Sequence, residues 1–207
     1  MPSLQAPSSD FCTFDLAIEV AQPNSLLRLA SSEPDTHLRF RRNPWFRFDS
    51  PDGTFGVLYV AFTLETAFLE AVLRDKTVVG RRGNDIPIAY SDLVRRRVIE
   101  FASGESKAAL NLVRLHGDGL AAAGVDNRIS SLDDYDLTRR WAKAMHDHPV
   151  AADGILYMSR FSGSGLNVAL FDRCAKKLRV ASEVPLLAHP DFADVADRFN
   201  LAIDRSA

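Results

Sequence analysis

The chain has 207 residues, 46% of them hydrophobic and 25% charged, with a formal net charge of -2. That balance fits a folded globular protein with a sizeable core, and it excludes a bulk attraction to nucleic acid or to an anionic membrane. No stretch has the apolar length of a membrane span and the first residues lack the pattern of a secretory signal, so a cytoplasmic protein is expected.

Residues 1 to about 10 are rich in Ser and Pro and read as a loose tail. A short strand is expected from Ser25 to Leu29. After it comes a loop punctuated by Ser31, Ser32, Pro34, Pro44, Pro51 and Gly53. GVLYVAF, which contains Val57, Leu58, Tyr59 and Val60, has the length and β-branched content of a buried strand. TLETAFLEAVLRD predicts a helix: Thr63 suits the N-cap, and Leu64, Ala67, Phe68, Ala71 and Val72 form an apolar stripe. Glu70 lies next to that stripe. Strands are expected at Pro87–Tyr90 and Val98–Phe101, around the basic run Arg95, Arg96 and Arg97, and again near Leu110–Leu115. Leu120–Gly124 reads as a short helix. Tyr135–His146 reads as a longer one, started by Asp133 or Asp134 and ended by Pro149. GILYMS and LNVALFD predict two neighbouring strands across the connection SRFSGSG. Phe192, Val195, Phe199 and Leu201 mark a last short helix.

Cys12 and Cys174 lie far apart and outside any CxxC pattern, which fits incidental reduced thiols. The histidines show no ligand spacing, so no metal is expected. The Gly163–Ser164–Gly165 loop is too short for a phosphate-binding fingerprint. Several polar residues stand at the edges of apolar elements, and each has an ordinary reading. Glu70 can pair with Arg74 at i,i+4. Arg28 can be a surface arginine. Arg47 can pair with Asp49 or Asp52 to close a loop. Tyr59 can be a core tyrosine with one partner for its hydroxyl. Ser159 can be a common strand-end serine. Arg39, Arg41 and Arg42 read mainly as a solvated face, with a substrate entrance or partner surface as the alternative.

The order Arg28, then Leu58, Tyr59, Ala61, Ala67 and Glu70, then Tyr157, Met158, Ser159 and Arg160 resembles the RES-domain family, named for its Arg, Glu and Ser. The resemblance implies a single α+β domain with bent mixed or antiparallel sheets and flanking helices, like diphtheria-toxin-type ADP-ribosyltransferases. It places that domain at residues 25–180, with an N-terminal extension at 1–24 and a C-terminal extension at 181–207 packed on it. It implies the toxin of a two-gene toxin–antitoxin pair that cleaves NAD at the nicotinamide–ribose bond and passes ADP-ribose to water or phosphate. NAD is then the substrate, and no cofactor is expected. The implied partner is a small antitoxin of the Xre, MbcA or ParS kind, with a helical DNA-binding part and a segment that blocks the cleft.

The resemblance also assigns roles. Glu70 is the carboxylate that stabilises the oxocarbenium-like cation formed as nicotinamide leaves. Tyr59 borders the nicotinamide end. Arg28 and Arg47 grip the pyrophosphate, because a planar guanidinium makes bidentate contacts that Lys cannot. Ser159 bonds a phosphate or ribose. The chain departs from the family at Asn43–Phe46, where many members carry a Tyr, and Trp45 is the substitute stacking aromatic. Two other readings stand beside this one: an ADP-ribosyltransferase that modifies a host protein, and a non-catalytic binding module that keeps the fold.

Overall fold

In the computed structural model, residues 4–32, 37–74, 85–105 and 107–206 are described. Pro34, Asp75 and the first three residues of the expected tail lie outside them. Strands β1 (Ile18–Ala21) and β2 (Leu27–Ser31) precede a long loop. That loop forms a backbone bridge to the next strand, β3 (Val57–Ala61), between Arg41 and Val57. Helix α1 (Leu64–Phe68) follows directly and widens into a π-helical segment, Leu69–Leu73. The chain continues as β4 (Ile86–Ala89), α2 (Tyr90–Val94), β5 (Arg96–Ser103) and β6 (Leu110–Leu115). Two single-turn helices, α3 (Gly119–Ala122) and α4 (Arg128–Ser131), lead into α5 (Tyr135–His146). It ends with β7 (Gly154–Met158), β8 (Leu166–Phe171), β9 (Leu178–Pro185), α6 (Phe192–Arg198) and β10 (Leu201–Asp204).

Eight strands form one mixed sheet in the order β1-β6-β7-β8-β3-β2-β5-β9, and β10 pairs with β4 in a parallel ribbon. Within the large sheet β6 and β7 run parallel, and the other neighbours are antiparallel. β3 and β8 pair from Val57↔Phe171 to Ala61↔Asn167, and β2 and β5 pair from Leu27↔Glu100 to Ser31↔Arg96. Between these two ladders, β2 meets β3 at Leu27↔Ala61 alone. The sheet is therefore hinged there into halves. Leu26, Ala30, Ile99 and Phe101 from one half share a core with Leu58, Val60, Leu112, Leu156 and Val168 from the other. The halves thus close over one another, which gives the bent α+β architecture expected from the sequence.

Strand alternation explains how β3 serves two layers, because successive side chains point to opposite faces. Leu58 and Val60 enter the core between the halves, while Val57 and Tyr59 face a second core built on Trp141, Ala142 and Met145 of α5. Thr63 caps α1 as expected, its Oγ1 accepting from the Thr66 N–H at 3.2 Å. Asp134 caps α5 by accepting from the Leu137 N–H.

The chain ends are more deeply built in than the sequence implied. β1 is an edge strand of the main sheet, Phe11 and Leu16 lie in the core, and the Trp141 indole donates to the Gln5 carbonyl at 2.9 Å. The folded unit thus includes residues before 25. At the other end β9 crosses the expected 180/181 boundary as the opposite edge strand. Leu201 falls in β10, so the last helix stops at Arg198. β1 and β9 are half-exposed edges, without the continuous apolar run that marks a buried strand.

The two thiols differ sharply. Cys12 is exposed, whereas Cys174 is fully buried and burial pushes its thiol up to about 12. Since the thiolate is the reactive species, the folded protein at pH 8 should consume one equivalent of a thiol reagent, and the unfolded protein two. Two equivalents at full speed without denaturant would show that Cys174 is not enclosed as described.

Candidate functional site

Where β2 and β3 part, a half-open cavity of about 360 Å³ enters the molecule. β2 contributes Leu27, Arg28 and Leu29, and β3 contributes Val57 and Tyr59. The helical segment after β3 adds Ala67, Glu70, Ala71 and Arg74, and the long loop adds Arg41, Phe46 and Arg47. Ser130, Tyr135, Tyr157, Arg160, Phe161 and Asn167 close the far wall. Among the described residues, Arg28, Arg41, Arg47, Arg74, Arg96 and Arg160 thus accompany a single lining carboxylate, Glu70. A concave site with aromatic walls and this cation excess suits an anionic, ring-bearing ligand.

Glu70 is held from below by two buried side chains. Its Oε1 accepts from the Ser159 hydroxyl at 2.7 Å and from the Asn167 Nδ2 amide at 3.1 Å. Ser159 directly follows β7, and Asn167 lies in β8 opposite both Tyr157 and Ala61, so two neighbouring strands position the carboxylate's partners. The π-helical turn puts Glu70 out of the regular α-helical step. Such turns recur at functional sites. The connection after Ser159 folds tightly back: the Ser159 N–H donates to the Gly165 carbonyl at 2.8 Å. Gly165 needs to be glycine here, since a Cβ would stand 2.7 Å from Thr66 Oγ1.

A second buried carboxylate organises the loop. Asp49 is fully buried and accepts from the backbone N–H groups of Trp45 and Phe46 and from the Tyr59 hydroxyl, at 3.0, 2.7 and 3.0 Å. Burial raises its pKa, and the Phe46 N–H, the Tyr59 hydroxyl and the Trp45 N–H oppose the rise. The Tyr59 oxygen also accepts from the Phe48 N–H at 2.9 Å. Burial, then the Asp49 charge, holds the Tyr59 phenol well above its usual range. The Tyr59 ring lines the cavity, but its hydroxyl is occupied within the protein and does not titrate near neutrality.

Arg47 is buried and does not pair with Asp49 or Asp52. Its Nη1 donates to the carbonyls of Ile129 and Leu132, and its guanidinium lies 5.0 Å from the Tyr135 ring centroid. Helix α5 clamps the same loop: Thr138 Oγ1 donates to the Arg47 carbonyl at 2.7 Å and Arg139 Nε to the Phe46 carbonyl at 3.1 Å. Arg28 donates to the His37 carbonyl at 3.5 Å. Burial, and then the neighbouring Arg41 charge, lowers its pKa to about 10, so it stays cationic at neutral pH.

The structure brings Arg28, Arg47, Tyr59 and Glu70 to one cavity and sets the other two sequence candidates apart. Ser159 is buried behind Glu70, with its hydroxyl given to that carboxylate and accepting from the Phe161 N–H at 3.2 Å. It holds the acid and does not line the cavity. Trp45 is 60% exposed outside the lining, with the Arg41 guanidinium 5.5 Å from its ring. The lining aromatics are instead Phe46, Tyr59, Tyr135, Tyr157 and Phe161. Arg42 is spent on the Asp172 carboxylate and on the carbonyls of Gly53 and Thr54, which leaves Arg41 as the cavity-lining member of its basic group. Asn167, Asp49 and Tyr135 were missed. A buried amide inside the apolar run LNVALF was the available signal for Asn167, because such a group needs a specific partner.

The RES domain family model matches residues 11–192. A relative from Sinorhizobium fredii described as "Probable toxin y4kH" is 35% identical over 126 residues, which cover 60% of this chain and 95% of the relative. Among solved structures, a chain of the M. tuberculosis MbcT-MbcA toxin-antitoxin complex superposes with a TM-score of 0.60. The alignment covers 93% of this chain and all of that one at 14% identity, a likeness of fold. The family match runs from the residues just before β1 to the start of α6 and takes in every strand of the large sheet and the whole cavity wall, so this chain belongs to the RES domain family.

Proposed function

We propose that this chain is the toxin of a toxin–antitoxin pair and that it cleaves NAD at the nicotinamide–ribose bond. The observation that carries the chemistry is Glu70, a carboxylate fixed by Ser159 and Asn167 at the wall of a cavity lined by six arginines. The toxin reading is supported by the names of the two relatives.

In this reading the arginines take the pyrophosphate, and the aromatic walls take the rings. The C1′–N bond breaks with its electron pair going to the nicotinamide nitrogen, which is neutralised as it leaves. Positive charge then develops on the ribose ring. Glu70 meets that charge through a hydrogen bond from a ribose hydroxyl. Water or phosphate adds its oxygen to C1′; water gives up a proton to solvent, and the product is ADP-ribose or its 1-phosphate. No strong acid is needed at the leaving group, which agrees with Tyr59 being locked and protonated. Restraint in the cell comes from a small antitoxin that covers the cavity mouth, where Arg41 and exposed Trp45 lie side by side.

Glu70→Gln keeps the shape and removes the charge, and it should lower NAD turnover by about 10²–10³. Turnover within twofold of the parent protein, with folding intact, would exclude this role. Expression of the chain alone should deplete cellular NAD and stop growth, and co-expression with the neighbouring gene's product should restore both. Normal growth while the folded protein turns over NAD in the same cells would defeat the toxin reading. Ser159 acts through Glu70. Ser159→Ala should therefore cost about 1–2 kcal/mol of unfolding free energy in the parent, and clearly less in a Glu70→Ala background. Equal costs in both, read from urea midpoints, would show that the serine does not hold the acid.

A further inference from the structure

Ser130 is a buried hydroxyl that the protein itself leaves without a partner. It is 6% exposed, it lines the cavity, and its Oγ makes no hydrogen bond among the described residues. The other side-chain atoms in this condition belong to His37, Arg97, Arg114, His116 and His148, none of which lines the cavity. Ser130 is therefore where a buried orphan and the candidate site coincide.

The position is fixed. The Ser130 N–H donates to the Asn127 carbonyl at 3.1 Å, and the preceding residue, Ile129, is fully buried in the core. Arg47 holds the carbonyls on both sides of the serine, those of Ile129 and Leu132. The same guanidinium packs over the Tyr135 ring, whose hydroxyl is reached by Arg74, one turn beyond Glu70, which places Ser130 toward the Glu70 end of the cavity. A rigid, desolvated hydroxyl without a partner costs stability, and alanine at such a place is normally neutral or better. Groups kept at that cost mark sites where a ligand supplies the missing partner.

We propose that Ser130 is a substrate-contacting residue whose hydroxyl bonds a polar atom of the nicotinamide-riboside half of NAD. The inference rests on the NAD reading above. It adds to that reading a contact that distinguishes the two halves of the dinucleotide, since Glu70 marks the riboside end, Arg47 is spent on the Ile129 and Leu132 carbonyls, and the other arginines serve the pyrophosphate.

The test is calorimetry in the Glu70→Gln background, in which turnover is slowed, with NAD and ADP as the two probes. Ser130→Ala should weaken NAD binding about 3- to 10-fold, the worth of one neutral hydrogen bond. It should leave ADP binding unchanged, and the thermal midpoint should stay level or rise. Unchanged NAD affinity would overturn the proposal. So would equal weakening of NAD and ADP, or a lower thermal midpoint, since each marks a residue that supports the fold or the pyrophosphate site. If the Glu70→Gln parent binds ADP but not NAD, the NAD reading itself fails and takes this inference with it. Failure of the Ser130 contact alone leaves NAD binding by the parent intact, so the two failures are told apart.

Discussion

The site depends on one constraint: β2 and β3 touch at a single register pair, Leu27↔Ala61, and then diverge. Had they paired along their length, Arg28 would stand opposite Val60 and Leu29 opposite Tyr59, with no room between the strands. Because they part, the two halves of the sheet close over a shared apolar core on one side and leave a cavity on the other. Each half is pinned by its own ladder, β3 on β8 and β2 on β5, so the opening is a fixed feature of the backbone. Rigid strands are better platforms for a site than loops, because their side chains keep position without further ordering cost.

On that platform two carboxylates do different jobs. Asp49 is fully buried and has every described contact directed inward, to two backbone N–H groups and a phenol. It is a structural knot that turns the loop carrying Phe46 and Arg47 against β3. Glu70 is only partly buried; one of its oxygens is held by Ser159 and Asn167 while the residue lines the cavity. A carboxylate oriented before the ligand arrives needs no reorganisation when charge develops beside it, and this is the source of most electrostatic stabilisation in active sites. Tyr59 joins the knot to the cavity. Its hydroxyl completes the Asp49 knot, and its ring forms the cavity wall.

Much of this was legible in the residues, for reasons that differ by element. α5 stands where its signals put it, because Asp134, the apolar side with Trp141 and Met145, and Pro149 all point to the same bounds. The β7–β8 neighbours and the β3–α1 unit were legible because they are buried, so their apolar runs are continuous. β1, β9 and β10 were missed because they are short or half-exposed, and pairing across the chain decides them rather than local pattern. Ser159 was expected to bond a phosphate or ribose, and it is instead buried against Glu70, because its direction was not readable. Whether a strand-end serine faces a ligand or a neighbouring acid depends on α1 and its π-helical turn arriving from elsewhere in the chain. The same limit applies to Ser130. Nothing in RISS distinguishes the serine that lines the cavity from the exposed Ser131 beside it.

Net charge concealed the most telling electrostatic feature. The chain as a whole carries only -2, yet among the described residues six arginines and a single carboxylate line the cavity. The compensating acids lie elsewhere: Asp172 on Arg42, Asp126 on Arg128, Asp118 on Arg114, Glu65 on Arg198. At neutral pH Arg28 keeps its charge although burial and Arg41 both press against it. Cations held this close inside low-dielectric walls repel one another more than they would in water. An anion entering the cavity relieves that repulsion, whereas a neutral ligand relieves none of it. The arrangement therefore favours an anionic ligand over a neutral one by the cost of the empty state as well as by the contacts of the filled one.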